Sequence, residues 1–211
     1  MNDTKVIGII IIITILIFGG GIFMLSKNTP VTTRGNTVSS KTELVKPNTL
    51  VRKAPQEKVT VVEFGDFQCP ACASAEVLVE TLLQKYPKTV TVAFRHFPLP
   101  QHKNAVISAY AAEAANAQGK FWEMVKLLYD NQTAWSESGD PTAQFVQYAK
   151  QLNLNVEEFT ASIQNKTFST KVEEDLQDGI SLGVNSTPTF YVNGRKIETQ
   201  NLLRVVEEDL L

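Results

Sequence analysis

Two thiols stand three positions apart in Cys69-Pro70-Ala71-Cys72, and they are the only cysteines in 211 residues. A bridge across so small a loop removes little chain entropy, so it makes a poor structural staple. Thiol–disulfide exchange suits the pair better. In that chemistry a thiolate attacks, and a second thiol close by resolves the mixed disulfide. Pro70 predicts the first turn of a helix that opens at Cys69. Unpaired N–H groups and the helix dipole favour negative charge there, which makes Cys69 the nucleophile. Cys72, one turn further in, is then the resolving thiol.

Other positions bear on the same chemistry. Glu63 lies six residues before Cys69 in an otherwise apolar run. It reads either as a solvated carboxylate at a strand edge or as an inward-facing acid beneath the cysteines. In the second case its pKa is raised and it exchanges protons with the resolving thiol. Thr187-Pro188 directly precedes the apolar run 189–192. Pro188 reads either as a turn former at a strand entrance or as a cis bond that turns the Thr187 backbone toward a neighbouring peptide. His96 and His102 are the only histidines. Together with the two cysteines they match a zinc ligand count, but without paired spacing, so no metal is expected. Each histidine is read as solvent-facing or locally bonded. Asn131, Asn165 and Asn185 open three-residue glycosylation patterns, which arise too readily by chance to use.

The elements that must position these residues follow from periodicity. Val59 to Phe64 is a β-branched run suited to a buried strand, and Ala75, Leu78, Leu82 and Tyr86 continue the Pro70 helix at helical spacing. Thr89 to Phe97 predicts a second strand, ended by Pro98-Leu99-Pro100. Helices are expected over 102–118, 121–129, 141–152 (capped by Asp140) and 156–164 (capped by Asn155). Val172, Leu176 and Ile180 mark the stripe of another, stopped by Gly183. Strands at 189–192 and 195–197 flank Asn193-Gly194, a strong hairpin signal, before a last helix carrying Leu202, Val205, Val206 and Leu210.

Ahead of all this, Val6 to Leu25 is an uncharged, Ile-rich run. Twenty helical residues span roughly 30 Å, a bilayer's hydrocarbon thickness. The run is long for a signal-peptide core and lacks an Ala-x-Ala site, so residues 1–25 are expected to be a membrane anchor rather than a cleaved signal. Residues 26–47 are polar and read as a flexible linker with an end-to-end distance of roughly 25 Å. Flanking charge, counted naively, points the C-terminal part inward, but long domains translocate largely regardless of it. An extracytoplasmic domain is expected from its chemistry. A net charge of −2 argues against nucleic acid, which needs a basic footprint.

Three segments, Glu63 to Cys72, Phe94 to Leu99 and Ser186 to Gly194, resemble the DsbA-like branch of the thioredoxin superfamily. The similarity covers residues 48–211. It implies an α/β thioredoxin fold with a helical insertion over about 99–165, following the transmembrane helix. It also implies that Cys69 and Cys72 are the redox pair, that Glu63 takes the buried acid position and that Pro188, with Thr187 before it, is the cis-proline facing substrate. Such proteins oxidise or reshuffle exported, cysteine-containing polypeptides and exchange electrons with a membrane redox partner, without a cofactor. Ala71 replaces the His of the best-known members, which leaves direction open between oxidase and reductase or isomerase. A thiol-based metallochaperone or a non-catalytic peptide-binding module are the readings from other classes.

Overall fold

A computed structural model describes residues 40–211. The expected anchor over 1–25 and most of the expected linker lie outside the described residues. Among the described residues no helix is long and apolar enough to cross a membrane.

The centre is a five-stranded mixed sheet. In chain order its strands are β1 (Leu50–Arg52), β2 (Val59–Gly65), β3 (Val90–His96), β4 (Thr189–Val192) and β5 (Arg195–Ile197), arranged β1-β3-β2-β4-β5. Strands β2 and β3 are parallel, and the other pairs are antiparallel. Every residue of β2 and β3 is buried, as their β-branched and aromatic composition leads one to expect for central strands covered on both faces. Short helix α1 (Lys41–Leu44) precedes the sheet, and α2 (Pro70–Lys85) crosses from β2 to β3. Between β3 and β4 run six helices: α3 (Ala105–Asn116), α4 (Phe121–Asp130), α5 (Gln132–Trp135), α6 (Thr142–Gln151), α7 (Val156–Gln164) and α8 (Ser169–Ser181). After β5 the chain ends in α9 (Leu202–Leu210).

Strand alternation divides the core. Val59, Val61, Val90 and Val92 pack with Ala75, Val79 and Leu82 of α2 and with Leu202 and Val206 of α9. Val62, Phe64 and Ala93 point to the opposite face, where Leu44, Phe97 and Tyr191 join them and Leu176 of α8 packs alongside. The Ala-rich helix α3 forms the middle of a third cluster with α4, α6 and α7, built around Trp135, Phe145 and Phe159. Asn155 caps α7 as expected, its Oδ1 accepting from the N–H of Glu158 at 3.1 Å.

The expected linker, 26–47, extends too far toward the C-terminus. Leu44 is 1% exposed, and the carbonyls of Glu43 and Leu44 accept from Nη1 of Arg95. One buried leucine and two carbonyl contacts dock α1 on the sheet, so the packed region starts before Asn48.

Candidate active site

Cys69 is the N-cap of α2, with extended backbone angles (φ −74°, ψ 120°) and Pro70 directly after it. The Cys69 carbonyl accepts from the N–H groups of Cys72 and Ala73, which starts the helix. Cys69 is nearly buried, and Cys72 is fully so, while Pro70 and Ala71 between them face solvent. Both thiols are free.

The loop that presents Cys69 is held from several sides. Asp66 accepts from the N–H of Gln68 at 2.8 Å through Oδ1, and from the N–H of Leu99 at 3.0 Å through Oδ2. That second oxygen also meets Nδ1 of His102 at 2.6 Å. Gln132 of α5 donates to the carbonyls of Phe67 and Cys69 at 2.7 and 3.0 Å. Gln68 reaches back to the carbonyl of Ser136. The insertion thus grips the active-site loop through backbone carbonyls.

From β4's side, the Thr187–Pro188 peptide bond is cis. The carbonyl of Thr187 accepts from Sγ of Cys69 at 3.4 Å. Thr187 also lines one end of a groove of about 880 Å³ that runs between the 97–103 loop and α8. Val106 and Ile180 in that groove are exposed at 44% and 52%.

These surroundings split the two thiols. Cys69 is lowered to about 5, chiefly by the hydrogen bond from the Cys72 thiol, with further help from the Thr187 side chain and the N–H groups of Cys72 and Ala71 against the effect of burial. Cys72 moves the other way, pushed up by burial first, then by its bond to Cys69 and the charge of Glu63. Glu63 is 2% exposed. Its carboxyl is raised well above 4.5 by burial, then by the charges of Glu76 and Cys69. No hydrogen-bond partner meets its Oε1 among the described residues. Gly65 keeps this space open. A Cβ there would meet Phe94 at 2.5 Å and Oε1 of Glu63 at 3.0 Å.

The structure therefore gathers Cys69, Cys72, Glu63, Thr187 and Pro188 at one end of the sheet. The histidines go elsewhere: His96 pairs with Glu113 at 2.9 Å in the core, and His102 supports Asp66. Gln132, Asp66, Glu76 and Tyr129 also belong to this region. Asp66 two places before Gln68 is a legible side-chain turn signal, and Glu76 stands one turn beyond Cys72 on the same helix face. No local pattern points to Gln132.

A family model described as thioredoxin matches residues 46–207. Among solved structures, a thioredoxin-like oxidoreductase from Silicibacter pomeroyi DSS-3 is 26% identical, covers 81% of this chain and 97% of its own, and superposes with a TM-score of 0.64. BdbD from Bacillus subtilis is 24% identical, with 84% and 94% covered and a TM-score of 0.65. MdbA, a thiol-disulfide oxidoreductase from Corynebacterium diphtheriae, is 17% identical, with 82% and 93% covered and a TM-score of 0.64. A curated relative named Na(+)/H(+) antiporter NhaA 1, from Salinispora arenicola (strain CNS-205), is 38% identical over 147 residues. That match takes in 69% of this chain but only 22% of the relative's length. The chain belongs to the thioredoxin family, and its fold is that of the DsbA-like thiol–disulfide oxidoreductases.

Proposed function

We propose that this chain is a dithiol oxidase for exported, cysteine-containing polypeptides, working through Cys69 and Cys72. Residues 6–25 anchor it in the cell membrane with the folded domain outside, and a membrane redox partner restores its disulfide. The observation that carries the direction is the split between the thiols. A nucleophile lowered to about 5 is a hundredfold ionised at pH 7. That stabilises the reduced dithiol and raises the potential by about 60 mV relative to a thiol titrating well above neutrality. Cys69 is then a good leaving group when a substrate's second thiolate attacks the mixed disulfide. Glu63, whose carboxyl burial raises well above its ordinary value, is suited to hand a proton to Cys72 as that sulfur departs. The apolar groove beginning at Thr187 offers room for polypeptide next to the reacting sulfur.

Equilibration of the Cys69–Cys72 couple against glutathione tests the direction. A potential above about −200 mV is expected, and one near the −270 mV of a reductant would overturn the oxidase reading. Cys72→Ala should accumulate mixed disulfides with exported proteins on non-reducing gels, and Cys69→Ala should trap far fewer. Equal trapping by both would count against disulfide exchange itself.

A further inference from the structure

Asp66 belongs to the redox turn, where its carbonyl accepts from the N–H of Cys69 at 3.0 Å. Its carboxylate is fully buried and already takes two backbone N–H groups, from Gln68 and Leu99. A carboxylate only accepts, so its third bond, at 2.6 Å, places a proton on Nδ1 of His102. The neutral ring then keeps its lone pair on Nε2, which has no hydrogen-bond partner among the described residues. His102 is 19% exposed and lines the groove that begins at Thr187, whose carbonyl is 3.4 Å from Sγ of Cys69. The other ionisable groups on that groove are engaged. Nζ of Lys103 donates to the Glu137 carbonyl, and Glu173 of α8 accepts from Gln177, each at 2.8 Å. Tyr110 of α3 stays a phenol, raised by burial and then by the charge of Glu173.

An imidazole oriented in this way is a base, and dithiol oxidation needs one. Once Cys69 holds the substrate in a mixed disulfide, the substrate's second thiol must attack. A free thiol ionises at about 8.5, so only a few per cent of it is thiolate at pH 7. Cys69, lowered to about 5, departs without needing a proton. This step therefore calls for a base and no acid.

We propose that His102, held by Asp66, is the general base that deprotonates the substrate's second thiol in the groove. The proposal rests on the dithiol-oxidase reading. Nε2 takes the proton from that thiol, and the freed sulfur attacks the substrate sulfur bonded to Cys69. The substrate's own disulfide forms as the bond to Cys69 breaks. Cys69 leaves with the electron pair, reduced, and the substrate is oxidised. Asp66 is a positioning residue: it fixes the tautomer and faces the imidazolium through Nδ1. The exposed part of the ring then returns the proton to water.

The full-length chain carrying Cys72→Ala, joined through Cys69 to a dithiol peptide, isolates this step. Appearance of cyclised peptide is followed from pH 6 to about 10. Attack by pre-formed thiolate alone gives a rate at pH 7 of about 3% of the high-pH plateau. With His102 present the rate should stay above about 30% of it. His102→Asn, whose side-chain nitrogen can keep the bond to Asp66, should fall to the thiolate-only profile. It should be about tenfold slower at pH 7 and rejoin the His102 protein above about pH 9. His102→Gln should behave alike. A His102 protein that itself follows the thiolate-only profile would overturn the proposal, whether or not the variants fold. So would slowing by one factor at every pH, or slowing in His102→Gln that His102→Asn relieves, since both mark a mere prop for the loop. Failure of the base leaves peptide oxidation intact at high pH. Failure of the underlying reading appears instead as a chain with both cysteines that oxidises the peptide at no pH.

Discussion

Arg95 and Glu63 sit on neighbouring central strands, both buried, on opposite faces of the same sheet. Arg95, 1% exposed, is held from two sides: Asp175 and Asp178 of α8 pair with its Nε and Nη2, and the carbonyls of Glu43 and Leu44 accept from its Nη1. Lys171 adds a further cation beside Asp175. Glu63, 2% exposed, faces α2 with one oxygen bonded to nothing among the described residues. Satisfied buried charge locks elements together, here α1 and α8 to β3. Unsatisfied buried charge leaves a proton that can move. The contrast separates architecture from chemistry within one layer of the core.

Removing one partner on the paired face should have the largest effect. Arg95→Met strips Asp175 of its buried partner, leaves it only the less buried Lys171, and is expected to lower unfolding free energy in urea by about 3 kcal/mol. Asp178→Asn, at the part-exposed rim, should lose less than about 1 kcal/mol. Similar values for the two would mean that the paired face does not depend on burial.

The next effect belongs to the chemical face. Cys69 is lowered from 9.0 to about 5, so its stabilising contribution is complete above pH 9 and is lost as pH falls through 5. The disulfide form lacks that contribution. Reduced protein should therefore exceed oxidised protein in stability by about 2–3 kcal/mol at pH 7, with the gap closing below pH 5. Paired denaturation curves across this range measure it. An oxidised form that is the more stable at pH 7 would break the comparison.

Glu63→Gln is a smaller change on the chemical face and the sharpest test of it. Its carboxyl is raised in the fold, so its contribution is complete below 4.5 and is lost as pH rises toward the folded value. The variant should match the parent at pH 4 and gain at least about 1 kcal/mol at pH 8. It should also slow mixed-disulfide release. Parallel stability curves at all pH values would show that Glu63 carries no buried charge.

Much of this was legible in sequence because it is local. Cys69-Pro70 announces a helix start, Asn155 announces a cap, and β2 and β3 announce burial through composition. Three-residue β1 and four-residue α5 are not legible in the sequence, since neither is long enough to show a period. Ambiguity over Glu63 was real. A lone acid in an apolar strand looks the same at an edge as at the centre, and only the pairing of β2 on both sides decides. Gln132 was invisible for a different reason. It acts on a carbonyl 63 positions away, across a contact that no local pattern encodes.

The pairing of β2 with β4 has a consequence for biosynthesis. Glu63 and both cysteines leave the ribosome more than 110 residues ahead of residues 187–192, which supply the strand opposite Glu63 and the carbonyl facing Cys69. Contacts of such sequence separation form late. A nascent chain therefore carries its two thiols without the neighbour that completes their site, and the site is complete only when residues 187–192 have joined the sheet.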